Sequence, residues 1–443
     1  MTDPSSPARP RAVPEGAVTR FGRMGGMAVG VAGRMAVDGL RQYAQGKRPA
    51  SRDLLMTPSN MRRIADELAR MRGAAMKMGQ LVSMDTGDVL PPELADILAR
   101  LRADADFMPP KQLRDVLDAA WGKGWYSRFA KFDVRPMAAA SIGQVHRARL
   151  PDGKELAIKV QYPGIARSID SDVNNIGRLM RMSGLLPEGF DLAPYLDEAR
   201  AQLKEEADYE AEAGHLRVFR QLLGDDANFA LPEVDEALST DKVLAMTYLP
   251  SAPIESLTEA PQDLRDRVVE QLCGLMLREV FDFGVMQTDP NFANYRYDEA
   301  AGRIVLLDFG ATRRLPSELA EGLRDLIGVG MRRDWPAVSD LLDRLGLVPH
   351  QVEDRFRVRI LEMVELVFEE ILAAPVLDLN ASSLSKRLQR AGEALAADGF
   401  VPPPVPMDLL YVQRKVAGMF LLASRLKARV PVQALVAPHL GLQ

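Results

Sequence analysis

The sequence predicts an α+β chain: an all-helical N-terminal extension, a small lobe that contains a sheet, and a larger, largely helical C-lobe. Three observations predict it. Apolar residues recur at helical spacing, without a strand signal, across 18–125; two period-two stretches flank Pro151-Asp152-Gly153 within 126–249; helical periodicity dominates again over 250–443. At 443 residues the chain also exceeds what one hydrophobic core usually organises.

Residues 1–17 read as a disordered tail, because Pro4, Pro7, Pro10 and Pro14 interrupt any helix and Asp3 and Glu15 do not suit a targeting segment. From Val18 to Tyr43 the pattern is helical but rich in Gly, which makes a weak helix alone. Ser59 is placed to cap the next helix, where Met61, Ile64, Leu68, Met71 and Ala75 share a face that runs into Lys77-Met78-Gly79-Gln80. Pro91-Pro92 break the pattern and Glu93 to Leu101 resume it. The hairpin follows: Ala140 to Leu150, the turn, then Glu155 to Gln161, with Leu156, Ile158 and Val160 on one face and Ala157, Lys159 and Gln161 on the other. Helices are expected over Ile165 to Met182 and, as one piece, Tyr195 to Leu222, then short strands near Val234 and from Val243 to Tyr248. In the C-lobe, Val268, Val269, Leu272, Leu275, Met276 and Val280 form a helical stripe before Phe283-Gly284. Ile304 to Leu307 reads as a strand, and Pro402 to Pro406 as a rigid connector between helices.

Composition narrows the chemistry. With 47% apolar, 26% charged and 6% aromatic residues the chain is of the globular class. Cys273 stands alone and His146, His215, His350 and His439 show no short pair spacing, so thiolate and imidazole metal centres are disfavoured and carboxylates are the expected ligands. Net charge is −5, but residues 1–50 carry eight Lys/Arg against three acids, leaving −10 for the remainder. Basic residues are not interleaved with aromatics in the folded part, which argues against nucleic acid; the basic, Gly-rich start suits an anionic membrane surface or a partner helix. The apolar run Met24 to Gly33 is far short of the ~20 residues that span a bilayer. The expected location is cytoplasmic, with peripheral attachment at the inner face of the membrane, and neither a signal peptide nor a transmembrane helix is expected.

Two polar constellations in the C-lobe carry chemistry. Asp289-Pro290-Asn291-Phe292-Ala293-Asn294 sets an Asp and an Asn five residues apart, and fourteen residues further the strand Ile304 to Leu307 ends in Asp308-Phe309-Gly310. That order is the logic of phosphoryl transfer: one Asp deprotonates or orients the attacking hydroxyl or water, while the Asn and the second Asp hold Mg²⁺ on nucleotide phosphates. Leu156-Ala157-Ile158-Lys159 supplies a strand lysine for the α- and β-phosphates, and the acids Glu205, Glu206, Asp208, Glu210 and Glu212 follow on helical sequence. Each piece alone is weak, but together and in this order they predict a bilobal protein kinase-like fold.

Four longer motifs sharpen this. Lys77-Met78-Gly79-Gln80, the run Ala138-Ala139-Ala140-Ser141-Ile142-Gly143-Gln144-Val145-His146, Glu206-Ala207-Asp208-Tyr209, and Gln287-Thr288-Asp289-Pro290-Asn291 together resemble the UbiB/AarF-type atypical kinase family, from about Val18 to the C-terminus. The resemblance implies that Mg²⁺ and ATP or ADP bind between the lobes. Ala138, Ala139, Ala140, Ser141, Ile142, Gly143 and Gln144 would form the nucleotide loop, and Met246, Thr247, Tyr248 and Leu249 the hinge facing adenine. Asp289 would be the catalytic acid/base, Lys159 the phosphate contact with Glu206 as its expected ion-pair partner, and Asn294 and Asp308 the metal ligands. Lys77, Gly79 and Gln80 would be regulatory, with Glu206, Asp208 or Glu212 as acids available to Lys77. Alanine carries a Cβ that the usual loop glycine lacks, so this nucleotide loop should be stiff.

The resemblance further implies a part in ubiquinone or other isoprenoid-lipid metabolism, by ATP hydrolysis or small-molecule phosphorylation, with lipid-biosynthesis enzymes and a second copy of the chain as candidate partners. A true protein kinase and a nucleotide-sensing scaffold are the alternatives. Against the first, the KxGQ helices would cover the place where a protein substrate docks, Gln287-Thr288 stand where kinases carry His-Arg, no A-P-E segment follows Asp308, and Leu315-Pro316-Ser317 leads at once into a helix. Against the second, Lys159, Asp289, Asn294 and Asp308 are all intact. Cys273 is expected to be a packing thiol and His146 a structural hydrogen-bonding group.

Overall fold

A computed structural model describes residues 73–74, 107–140, 142–183, 192–403 and 405–441. The expected tail at 1–17, the extension from 18 to 106 apart from Gly73 and Ala74, the motif residues Lys77, Gly79 and Gln80, and Ser141 lie outside the described residues. In chain order the first elements are α1 (Pro110–Trp121), β1 (Lys131–Phe132), β2 (Ala138–Ala139), β3 (Gly143–Arg149), β4 (Glu155–Gln161), α2 (Ile165–Ser183), α3 (Ala193–Glu206), α4 (Tyr209–Leu223), β5 (Phe229–Ala230) and β6 (Val243–Thr247). Next come β7 (Ala252–Pro253), α5 (Gln262–Arg278), β8 (Val285–Gln287), β9 (Tyr295–Asp298), β10 (Arg303–Leu306), β11 (Thr312–Arg314), α6 (Ser317–Met331) and α7 (Trp335–Arg344). The chain closes with α8 (Asp354–Leu372), β12 (Leu377–Asp378), α9 (Leu384–Ala397), α10 (Met407–Arg425), β13 (Arg429–Val430) and α11 (Val432–Val436). The fold is α+β and kinase-like, with antiparallel pairing dominating its sheets.

Two compact units divide the chain. One comprises the described residues up to Gly214 together with Glu233–Tyr248; the other comprises His215–Pro232 and the chain from Leu249 onward. The segment His215–Pro232, inside the 126–249 span read from the sequence, thus belongs to the second unit.

The first unit is built on the sheet β1-β3-β4-β6, with β2 added to β3. The Pro151-Asp152-Gly153 turn has Gly153 at φ 91°, a conformation only glycine adopts freely, and it sets the β3–β4 register with Val145 opposite Lys159. The face bearing Leu156, Ile158 and Val160 is buried against Leu113, Leu117, Trp121, Trp125 and Phe129. Pro110 at the first helical position and apolar residues four apart (Leu113, Leu117, Trp121) give α1 one buried stripe, so the last helix of the expected extension is part of this core. Trp121 Nε1 donates to the Leu238 carbonyl at 2.8 Å, satisfying the indole as its ring is buried.

A polar chain runs through the same unit. Gln144 Oε1 accepts from the Met108 amide at 2.8 Å, which turns the NH₂ end of Gln144 toward His146 Nε2, also at 2.8 Å. Nε2 must therefore accept, and the proton sits on Nδ1, which donates to the Asp133 carbonyl at 2.8 Å. His146 is a neutral structural group, as expected from the sequence.

In the second unit β5-β10-β9-β7 form one sheet, β5 parallel to β10, and β8 pairs with β11. The stripe on α5 is buried through Val268, Val269, Leu272 and Leu275, and the helix widens into a π turn, Glu279–Phe283, stopped by Gly284 at φ 59°. Cys273 on α5 is a packing thiol whose burial pushes its pKa up to about 12. Among the described residues no helix is long and apolar enough to cross a membrane. The short strands β5, β7, β11, β12 and β13 carry too few residues to show alternation, and the sequence reading did not place them.

Burial lowers the His146 pKa below its ordinary 6.5, outweighing the Asp133 carbonyl that favours the charged ring. The unfolded chain therefore binds that proton more readily, so the stability of the neutral arrangement is complete above about 6.5 and is lost as the pH falls. In urea titrations between about pH 7.5 and about pH 5.5 the parent midpoint should fall further than that of His146→Gln; equal falls contradict this account.

Candidate active site

The candidate residues of the first unit begin with Lys159, on the sheet face opposite the aromatic core. Its Nζ lies 2.8 and 2.7 Å from the two carboxylate oxygens of Glu212, and both side chains are nearly buried. The ring of Tyr209 lies 5.2 Å from the same ammonium. This partner corrects the expectation of Glu206. The single helix expected from Tyr195 to Leu222 is two helices, with the break at Ala207-Asp208. Asp208 Oδ1 accepts from the Ala211 amide at 2.9 Å, so Asp208 caps α4, and Gln161 Nε2 on β4 donates to the Ala207 carbonyl at 2.8 Å, fixing the corner to the strand. Glu206 ends α3 before the corner, whereas Tyr209 and Glu212, three residues apart on the first turn of α4, both meet Lys159.

The alanine-rich run is a tight hairpin. Ala138 pairs with Val145 and Ala139 with Gln144, and the Ala140 amide donates to the Gly143 carbonyl at 2.8 Å. Ile142 is buried and its carbonyl accepts from the Tyr162 amide at 2.9 Å, anchoring the turn to the end of β4. Gly143 is required by space: a Cβ there would sit 2.5 Å from the Val160 carbonyl oxygen and 2.6 Å from the Tyr209 hydroxyl. At the expected hinge, Met246 is buried and pairs with Ala157, and Thr247 Oγ1 accepts from the Glu233 amide at 2.8 Å. The Tyr248 amide donates to the Glu155 carbonyl at 2.9 Å, its ring carries the Arg147 guanidinium at 4.3 Å, and the next residue, Leu249, opens the second unit.

The second unit joins its two acidic loops through backbone. Both the amide and the hydroxyl of Thr288 donate to the Ala311 carbonyl, at 2.7 and 2.9 Å, extending the β8–β11 pairing past Gln287. The Leu307 amide donates to the Asn294 carbonyl at 3.1 Å, so Asn294 is tied to the residue preceding Asp308. Asn294 Nδ2 faces the Asp289 carbonyl at 3.2 Å and its carboxylate at 3.4 Å, and Asp308 Oδ1 accepts from the Gly310 amide at 3.0 Å. Phe309 is buried against Phe219, with ring centres 4.8 Å apart, and His215 Nδ1 meets the Phe309 carbonyl at 3.2 Å. Asp289 and Asn294 are therefore in contact, and Asp308 follows the residue whose amide is bonded to Asn294.

Among the described residues no group of three or more His, Cys, Asp or Glu could hold a metal by itself. The donor chemistry here is an amide oxygen and a carboxylate on tied backbones. That suits Mg²⁺, which takes one or two protein ligands and completes its shell with phosphates and water.

Three residues escaped the sequence reading. Tyr209 was quoted only as part of a motif, although an aromatic three residues before an acid on one helix face was a usable signal. Glu279 and Lys415 form a buried pair with 3.0 Å between Nζ and Oε2, and Lys415 also donates to the carbonyl and the side chain of Gln287, at 2.9 and 3.2 Å. No local pattern links residues so far apart in the chain.

Comparison with known proteins places this geometry among relatives. The ABC1 atypical kinase-like domain matches residues 100–342. The chain is 36% identical over 422 residues to atypical kinase COQ8, mitochondrial, of Saccharomyces cerevisiae, covering 94% of this chain and 83% of the relative. It is 36% identical over 433 residues to atypical kinase COQ8B, mitochondrial, of Rattus norvegicus, covering 96% and 81%. Among solved structures, Rv3197 of Mycobacterium tuberculosis, in a complex with erythromycin, is similar with a TM-score of 0.60 and 26% identity, covering 81% of this chain and 90% of that one.

The Gly143 contact generates a test. A methyl group there meets a main-chain carbonyl that cannot rotate away, so Gly143→Ala should lower stability by about 1–3 kcal/mol. Equilibrium urea unfolding checks this; a variant as stable as the parent would show that the hairpin has room to spare.

Proposed function

Because the chain belongs to the ABC1 atypical kinase-like family, of COQ8 type, we propose that it binds an Mg²⁺–adenine nucleotide and supports ubiquinone biosynthesis by ATP hydrolysis or phosphorylation of a small molecule. The observation that carries this reading is the buried Lys159–Glu212 pair. A lysine at that position on β4, nearly buried and held by both oxygens of one carboxylate, supports a contact with nucleotide phosphates.

In this reading Lys159 neutralises charge on the α- and β-phosphates, and Glu212 with Tyr209 fixes its direction. The hairpin at 138–144 covers the phosphates with backbone, and Met246 to Leu249 meet adenine. Asn294 and Asp308 are the residues that would hold Mg²⁺, which when bound offsets the negative charge of the phosphates. Asp289 orients the attacking oxygen and accepts its proton. Asn294, whose Nδ2 also faces the Asp289 carboxylate at 3.4 Å, restricts where that carboxylate can swing. The Gln287-Thr288 pair in place of His-Arg supports a water or small-molecule acceptor over a peptide. An anionic membrane surface and lipid-biosynthesis enzymes are the proposed surroundings.

Phosphate release by the purified full chain, with and without anionic liposomes and a quinone-precursor phenol, tests this. Asp308→Asn should reduce release at least about a hundredfold under every condition in which the parent is active. Parent and variant that bind nucleotide but are equally inactive throughout would favour a sensing scaffold.

A further inference from the structure

The buried pair at Lys415 and Glu279 takes no part in the function as stated, yet it is bonded to the loop that carries Asp289. An ammonium has three donors. Lys415 donates to the Gln287 carbonyl at 2.9 Å and to Gln287 Oε1 at 3.2 Å and forms an ion pair with Glu279 Oε2 at 3.0 Å, with the ring of Tyr295 5.7 Å away. Lys415 and Glu279 are 2% and 1% exposed, so water does not compete. Burial works against the ammonium, but Glu279 and Tyr295 outweigh it and hold the Lys415 pKa above the ordinary lysine value.

Stability alone does not explain this arrangement. A buried ion pair is often no more stabilising than apolar residues of similar volume, because desolvation offsets the attraction. What apolar residues could not do is bond to the main chain of Gln287, two residues before Asp289. The same helix, α10, also touches the loop on the other side of Asp289. Gly418 lies so close to Pro290 that a Cβ would overlap the proline ring. Tyr411 and Val412, one turn before Lys415, pack with Met286 and Leu315 beneath β8. One helix thus holds the residues on both sides of Asp289, and it lies beyond the 100–342 span matched by the domain family.

We propose that Lys415, oriented by Glu279, is a positioning residue for Asp289, and that α10 is a working part of the catalytic unit rather than a C-terminal appendage. Lys415 touches no reacting atom and acts through Gln287. Its effect on rate rests on the phosphoryl-transfer reading above; its effect on the geometry of the loop does not.

The test uses the full chain, with Lys415→Met and the double variant Lys415→Met/Glu279→Leu, which removes both charges and leaves no uncompensated carboxylate. The readouts are melting temperature, steady-state phosphate release and hydrogen exchange at the Thr288 amide, which is bonded to the Ala311 carbonyl. The double variant should melt close to the parent, yet lose at least about tenfold in kcat, since small misplacements of a reacting group are costly. Its KM for nucleotide should stay within about threefold, because ground-state binding is untouched. Thr288 should exchange at least about tenfold faster, with amides of the first unit unchanged. A double variant that melts, turns over and protects Thr288 as the parent does would overturn the proposal and make the pair purely structural. If neither parent nor Asp308→Asn releases phosphate, the functional reading fails, and exchange at Thr288 still decides for or against Lys415.

Discussion

A lysine that is nearly out of water and bonded to both oxygens of one carboxylate constrains everything around it. Lys159 is held in place by Glu212, and Glu212 is there because the helix carrying it begins at a corner fixed to the same strand. The corner needs Asp208 as a cap and the Ala207 carbonyl as an acceptor for Gln161. Tyr209 fills the space between the lysine and the alanine hairpin, and that packing in turn excludes a side chain at Gly143. The E-x-D-Y motif is in this sense a piece of architecture first: its acid at 208 shapes the backbone, and the acid that meets the lysine lies one turn further on.

The second unit solves a related problem by other means. Its acidic residues must be close without repelling one another out of place, and main-chain bonds do this work. Thr288 is bonded to Ala311 and Asn294 to Leu307, so the loops bearing Asp289 and Asp308 are joined whatever their side-chain charges. Thr288 and Gln287, which replace the His-Arg of protein kinases, are both committed inward, Thr288 to Ala311 and Gln287 to Lys415. A residue pair facing the core in this way is unavailable for contacts with a phosphorylated activation segment, and none follows Asp308 before α6 begins at Ser317.

The hairpin was legible because period-two alternation and a Pro-Asp-Gly turn are local signals, and they put Lys159 on the correct face in the correct register. The proximity of the two acidic loops was legible because Asp289 and Asn294 lie five residues apart in one loop and Asp308 directly follows the strand read over Ile304 to Leu307. The break between α3 and α4 was not, since Glu-Ala-Asp-Tyr is compatible with a continuous helix and only a tertiary bond from Gln161 favours the corner. That one miss assigned the lysine to Glu206 instead of Glu212. Lys415 was illegible for a different reason: its partners lie more than a hundred residues away, and a lysine within an apolar helix gives no sign of what it meets. The aromatic residues at 121 and 125 were read as the end of a helical extension, yet with Phe129 they close the core of the sheet, because a period-two face must be covered by whatever apolar helix is nearest.

The central claim is that Lys159 and Glu212 form a pair kept for a nucleotide rather than for stability. The most direct measurement is the affinity of the full chain for Mg–ADP by calorimetry, comparing the parent with Lys159→Met/Glu212→Gln, which keeps the shape of the pair and removes both charges. The account predicts a fold that remains intact and an affinity at least about tenfold weaker, as expected on losing a charge-assisted phosphate contact. A double variant that binds Mg–ADP as tightly as the parent would contradict it.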